Sequence, residues 1–330
     1  MCSVCVSRVE WLERHQIVIY LAALVLGAVA GLVLPGGASA LELAIYPVLG
    51  ALLYATFLQV PFTALTRAFR DVRFLSATMV LNFVVVPVVV AAAAIALIPL
   101  PQAVLLGVLL VLLTPCIDYV IVFSGLAGGA HQRLLAAAPL LMLAQMVALP
   151  LLLALFMGPG LADIVEIGPF LEAFLILIVL PLGLAWATET FAARHRSGER
   201  ITSVMNAAMV PLMAVTLFVV VAGQFPKIED QVGAVVSVVP LYVAFLVVMA
   251  GLGLLLARVF RLDVPSSRAL IFSGATRNSL VVLPLALALP EAYAITPVIV
   301  VTQTLVELIG MVIYVRAVPW LVPAQARSIR

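Results

Sequence analysis

Runs of about 20 apolar residues, separated by short polar stretches, follow one another along almost the whole chain. Twenty residues is roughly the length a helix needs to cross about 30 Å of hydrocarbon. Ten such runs occupy 17–34, 43–66, 74–98, 102–127, 133–157, 167–189, 201–222, 233–257, 268–289 and 292–315. They lack the period-two alternation of barrel strands, so all ten are expected to be helices. The expected fold class is an all-α integral membrane protein, with residues 1–330 forming one polytopic domain.

Two of these runs carry polar residues near their middles, the fourth in TPCID (114–118) and the ninth in GATRNS (274–279). Ten spans divide into two sets of five, and an odd number per set makes the halves enter the membrane with opposite polarity. That is the arithmetic of an inverted repeat, here 17–157 and 167–315. Counterpart breaks in the two halves point to a binding site near the midplane, where discontinuous fourth and ninth helices cross.

Composition agrees: 65% of the 330 residues are apolar and 10% are charged, too few charges for a soluble surface. The basic residues then orient the chain. Arginines 8, 14, 67, 70, 73, 133, 194, 196, 200, 258, 261, 268, 316, 327 and 330 all fall on one side, Lys227 falls on the other, and Arg277 lies within a span. By the positive-inside rule both termini are cytoplasmic, in a cell membrane. Trp11, Trp186 and Trp320 lie near the same ends, where an indole sits half wet. Three cysteines, Cys2, Cys5 and Cys116, make no disulfide framework. His15, His131 and His195 are far apart in terminal and loop segments, and no zincin helix, phosphate loop or nucleophile elbow is present. No enzyme, no cofactor and no nucleic-acid partner are expected; the expected partners are membrane lipid, a small substrate and a coupling ion.

The chemistry concentrates at the breaks. Pro115, next to Thr114, removes a backbone donor and frees carbonyls in the fourth span. Asp118 is a carboxylate where an unpaired one costs about 2.5–3.5 kcal/mol. Arg277 stands at the equivalent depth of the ninth span, so the two are expected to pair across the crossing, as an architectural or a functional pair. Asp118 and either Asn278 or Ser279 can cap the second half-helices, turning two positive dipole ends to the centre. Cys116 is a small buried hydrophobe or a soft ligand. Glu307, with Gln303, Gly310 and Tyr314 on one helical face, has no obvious basic partner and is the better candidate to take up and release protons. Asn82, Gln145 and Asn206 are read as interhelical hydrogen-bonding residues.

Pro115-Cys116 followed by an apolar run and Ser124, GATRNS with its Asn278, and LVE ending at Glu307 together resemble the bile acid:sodium symporter superfamily, and within it most closely the arsenite efflux permeases. The resemblance covers almost the whole chain by span count and topology. It implies ten helices in two inverted repeats arranged as a panel and a core domain. It also implies arsenite handling at Cys116 and proton coupling at Glu307. Three positions depart from that pattern: Asp118 replaces a small residue, Arg277 the first of two asparagines, and Leu280 a glutamate. The leading expectation is proton-coupled arsenite or metalloid efflux, as the resemblance implies, with Thr114, Pro115, Cys116, Asp118, Ser124, Arg277, Asn278 and Ser279 around the substrate and Glu307 and Gln303 at the coupling ion. Arg277, as a bidentate partner for a carboxylate, motivates a second reading, sodium-coupled uptake of a small organic anion.

Overall fold

Helices account for the regular structure among the described residues, which in this computed structural model are 3–33, 38–59, 71–96, 101–117, 119–158, 172, 175–224 and 232–323. In chain order they are α1 (Ser3–Val33), α2 (Ala38–Gln59), α3 (Val72–Val80), α4 (Val86–Ala96), α5 (Gln102–Leu112), α6 (Tyr119–Leu126), α7 (His131–Met157), α8 (Leu180–Ala192), α9 (Arg196–Gln224), α10 (Val232–Val259), α11 (Val264–Ala275), α12 (Ser279–Leu287) and α13 (Thr296–Leu321). A π-helical turn, Leu81–Val85, joins α3 to α4, and another, Leu175–Val179, leads into α8. Two starts are capped by aspartates: Asp71 accepts from the Phe74 N–H and Asp263 from the Ser266 N–H, each at 3.2 Å.

Six helical segments among the described residues are long and apolar enough to span a membrane: Leu41–Gln59, Val72–Ile95, His131–Met157, Arg196–Gln224, Val232–Val259 and Glu291–Leu321. The other four expected runs fall short for identifiable reasons. Only Val18–Val33 of α1 is apolar enough. Part of 167–189 lies outside the described residues. The fourth and ninth runs are each divided into two short helices, α5 with α6 and α11 with α12. On α7, Val147, Leu151 and Leu155 form a well-exposed apolar stripe at four-residue spacing, a face suited to lipid. The chain is a multi-pass integral membrane protein.

The chain forms two compact units. One takes in Met1–Gln59, Val165–Gly233 and Leu283–Val301. Within it α1 and α2 both pack on α9, and α8 packs on α2 and α9. Gly27 permits the close approach of α1, because a Cβ there would lie 2.8 Å from the Phe218 carbonyl oxygen.

The other unit takes in Val60–Ile164, Ala234–Val282 and Thr302–Arg330, and it holds every residue of the site described below. Its centre is α11, packed on α3, α6 and α7, with Leu270, Ile271 and Phe272 fully buried. Gly274 leaves room for Leu81 of the first π-turn, whose Cδ2 lies 2.6 Å from where a Cβ would stand. Several helix ends of this unit meet in one polar cluster. Arg133, near the start of α7, bridges Asp71 (3.1 Å) and Asp263 (3.2 Å). Arg268 donates to the carbonyls of Ala127 (2.8 Å) and Val322 (2.9 and 3.1 Å).

Candidate substrate and ion site

The two broken helices are paired by their main chains at the breaks. Pro115 and Arg277 form an isolated antiparallel bridge. The Asn278 N–H donates to the Thr114 carbonyl at 2.8 Å, and the Cys116 N–H to the Thr276 carbonyl at 3.2 Å. Backbone groups freed by the two breaks thus satisfy one another in a buried setting, as a bilayer interior requires. Thr114 and Thr276 turn their hydroxyls back to Leu110 and Phe272, at 2.8 Å each, closing the preceding helical turns.

Arg277 is fully buried. Its Nη2 lies 2.8 Å from Asn82 Oδ1 and from the carbonyl oxygens of Ser273 and Gly274, and Nη1 donates to the Leu112 carbonyl at 3.3 Å. The Phe245 ring lies against it, 5.6 Å from centroid to Cζ. Asp118, the expected partner, lies outside the described residues.

Glu307 has no basic side chain in direct contact among the described residues, yet it is far from isolated. Tyr119 Oη donates to Oε1 at 2.5 Å, the Arg277 N–H donates to Oε2 at 2.8 Å, and Gln303 Nε2 donates to Oε2 as well. The Tyr119 oxygen is also 3.1 Å from the Arg277 carbonyl. All three groups are donors and fill three of the carboxylate's roughly four lone-pair sites, so the site for an arriving proton is on Oε1, beside the Tyr119 hydroxyl. Tyr314, on the same face of α13, donates to the Leu246 carbonyl.

The remaining expected residues divide. Asn278 caps α12, its Oδ1 accepting from the Val281 N–H at 3.3 Å, and its Nδ2 has no partner among the described residues. Ser279 accepts from Thr304 of α13 at 2.7 Å. Cys116 is buried beside the main-chain pairing. Gln303 Oε1 and Arg277 Nε are buried without a hydrogen-bond partner among the described residues. Ser124 stands apart, near the far end of α6, about 7.5 Å of helix rise beyond Tyr119; its carbonyl accepts from the Gly129 N–H at 2.8 Å and its buried hydroxyl lacks a partner among the described residues.

Three contributors were not singled out from the sequence as site residues. Tyr119 follows the break directly, which was its available signal. Asn82, read as a generic hydrogen-bonding residue, lies in the π-turn and uses its amide fully: Nδ2 donates to the Thr78 carbonyl and Ser273 Oγ, both at 3.0 Å. Such turns recur at functional positions in helices. Ser273 contributes both its hydroxyl and its carbonyl, and nothing in its neighbourhood marks it.

Comparison with curated proteins finds no match. A family model described as the sodium bile acid symporter family matches residues 46–231, a stretch that runs through the first broken helix pair and stops short of the second. Because that match covers more than half of the chain, the chain belongs to the sodium bile acid symporter family, whose members are transporters.

Proposed function

We propose that the chain is a secondary transporter that exports arsenite, or a related metalloid species, in exchange for protons, and that it is built as ten spanning helices in two inverted five-helix repeats. The observation that carries the reading is the wiring of the crossing. Cys116, the candidate soft ligand, and Glu307, the candidate proton carrier, are tied to neighbouring residues of one strand-like segment, through the Thr276 carbonyl and the Arg277 N–H. Protonation of Glu307 turns three charge-assisted hydrogen bonds into weaker neutral ones, including that from the Arg277 N–H, so it loosens the segment that also holds Cys116. Proton movement and substrate release are thereby linked through a single backbone segment.

The composition of the two units supports the repeat. Counting each broken pair as one span, spans one, two, six and seven supply α1, α2, α8 and α9 of the first unit, and spans three to five and eight to ten supply most of the second. Adding five to a span's number leaves it in its unit, as a five-span repeat requires.

Everted vesicles test the reading directly. Proton-driven arsenite uptake is expected with the native chain, loss of it with Glu307→Gln, and strong impairment with Cys116→Ser. Unimpaired, still proton-dependent uptake by Glu307→Gln would remove the coupling role. The second reading, sodium-coupled uptake of a small organic anion, draws on the sodium coupling in the family's description. Its original motive is weakened, because the Arg277 guanidinium is buried among other acceptors. Sodium-stimulated anion uptake without any metalloid effect would favour it.

A further inference from the structure

The acceptors around Arg277 have an unusual make-up for a buried guanidinium. Among the described residues all four are neutral oxygens, three of them main-chain carbonyls: Ser273 and Gly274 in the last turn of α11, and Leu112 at the last residue of α5. The fourth is Asn82 Oδ1. No carboxylate is in direct contact with the guanidinium among the described residues. Carbonyls at a helix C-terminus carry the negative end of the helix dipole, and here two such ends, one from each broken helix, face the same charge. Half-helix C-termini and unwound carbonyls are the ligand set with which transporters of discontinuous helices hold a small cation. The Phe245 ring adds an aromatic face.

The geometry also fits a point charge better than a planar fork. Three oxygens converge at 2.8 Å on the single atom Nη2, more acceptors than its two hydrogens can address separately, and Nε has no partner among the described residues. A site evolved around the guanidinium plane would spread its acceptors over all five N–H groups. The side chain reaches this position by folding back from the bend between α11 and α12 onto the turn that precedes it, so the charge is delivered from within the site's own backbone.

We propose that Arg277 is a built-in cation: its guanidinium permanently fills a monovalent-cation site formed where α5 and α11 end, and the protein needs no free alkali ion there. The assignment concerns the cage alone and does not depend on which substrate is carried. It predicts that emptying the cage makes the protein dependent on a diffusible cation.

Thermal melting of the purified full-length chain, without substrate, reads this out. Samples would hold sodium, potassium or guanidinium chloride at sub-denaturing concentration, against N-methylglucamine chloride at equal ionic strength. The native chain should melt alike in all four. Arg277→Ala should melt lower in N-methylglucamine and rise by several degrees, saturably, with at least one of the smaller cations. Arg277→Lys, which keeps a tethered cation, should stay insensitive to the salt and melt well above Arg277→Met. A melting point of Arg277→Ala that is the same in all four salts overturns the proposal, as does a native chain showing the same cation response as the variant. If Arg277→Ala cannot be recovered folded in any salt, the Lys and Met variants decide: Lys no better than Met also overturns it.

Discussion

Glu307 takes hydrogen bonds from three places in the chain, and only one of them, Gln303, lies on its own helix. Hydrogen bonds to charged groups contribute about 1.5–3 kcal/mol each. Tyr119→Phe removes one such bond while keeping the ring that meets Phe123 edge-on, so it should destabilise the protein by about that amount, seen as a lower melting temperature in detergent. Asn82→Leu should cost more, because it removes an acceptor from the buried Arg277 and the donor that the Ser273 hydroxyl accepts from. Tyr54→Phe, which loses a part-buried bond to Thr188, should cost only about 0.5–1.5 kcal/mol. Equal melting of all three variants would show that the site bonds carry no special weight. The charged members of this site were legible from sequence, since Arg277 and Glu307 stand out in apolar runs. Their partners were not: Tyr119 and Glu307 are 188 residues apart, and Asn82 and Arg277 195, distances across which no local pattern signals a bond.

At the scale of elements, the breaks were legible and their cause was only half so. Pro115 marks the first break, but the second, at 276–278, has no proline and is open all the same. What the two share is main-chain pairing, and neither Asn278 N–H to Thr114 O nor Cys116 N–H to Thr276 O involves residue 115. Pro115→Ala should therefore leave the break in place and shift melting by only a few degrees. A large gain in stability with loss of transport would mean that the helix had closed and that the proline was the cause. Close helix packing makes the opposite prediction at Gly27. A Cβ there meets the backbone of Phe218, which cannot rotate away as a side chain could, so Gly27→Val should force α1 off α9 and cost about 1–3 kcal/mol.

For the whole molecule, hydropathy alone marked the six segments that length and composition single out as membrane-spanning among the described residues, while the two broken helices are individually too short to qualify. Orientation depends on charge. In the second unit the starts of α3, α7 and α11 and the residues just after α6 and α13 meet around Arg133 and Arg268. Placing these ends together is what alternating spans demand, and by the positive-inside rule their arginines predict that this end faces the cytoplasm. The exposed Ser197, in the first turn of α9, is expected on the same side by this reasoning, and the exposed Ala292, between α12 and α13, on the other. In a chain with Cys2 and Cys5 changed to serine, Ser197→Cys should react with a membrane-impermeant maleimide only in everted vesicles, and Ala292→Cys only in right-side-out ones. Cys116, being buried, should give little background from either side. Labelling of both positions from one side would break the alternation, and with it the inverted repeat; the reverse pattern would keep the repeat but turn export into import.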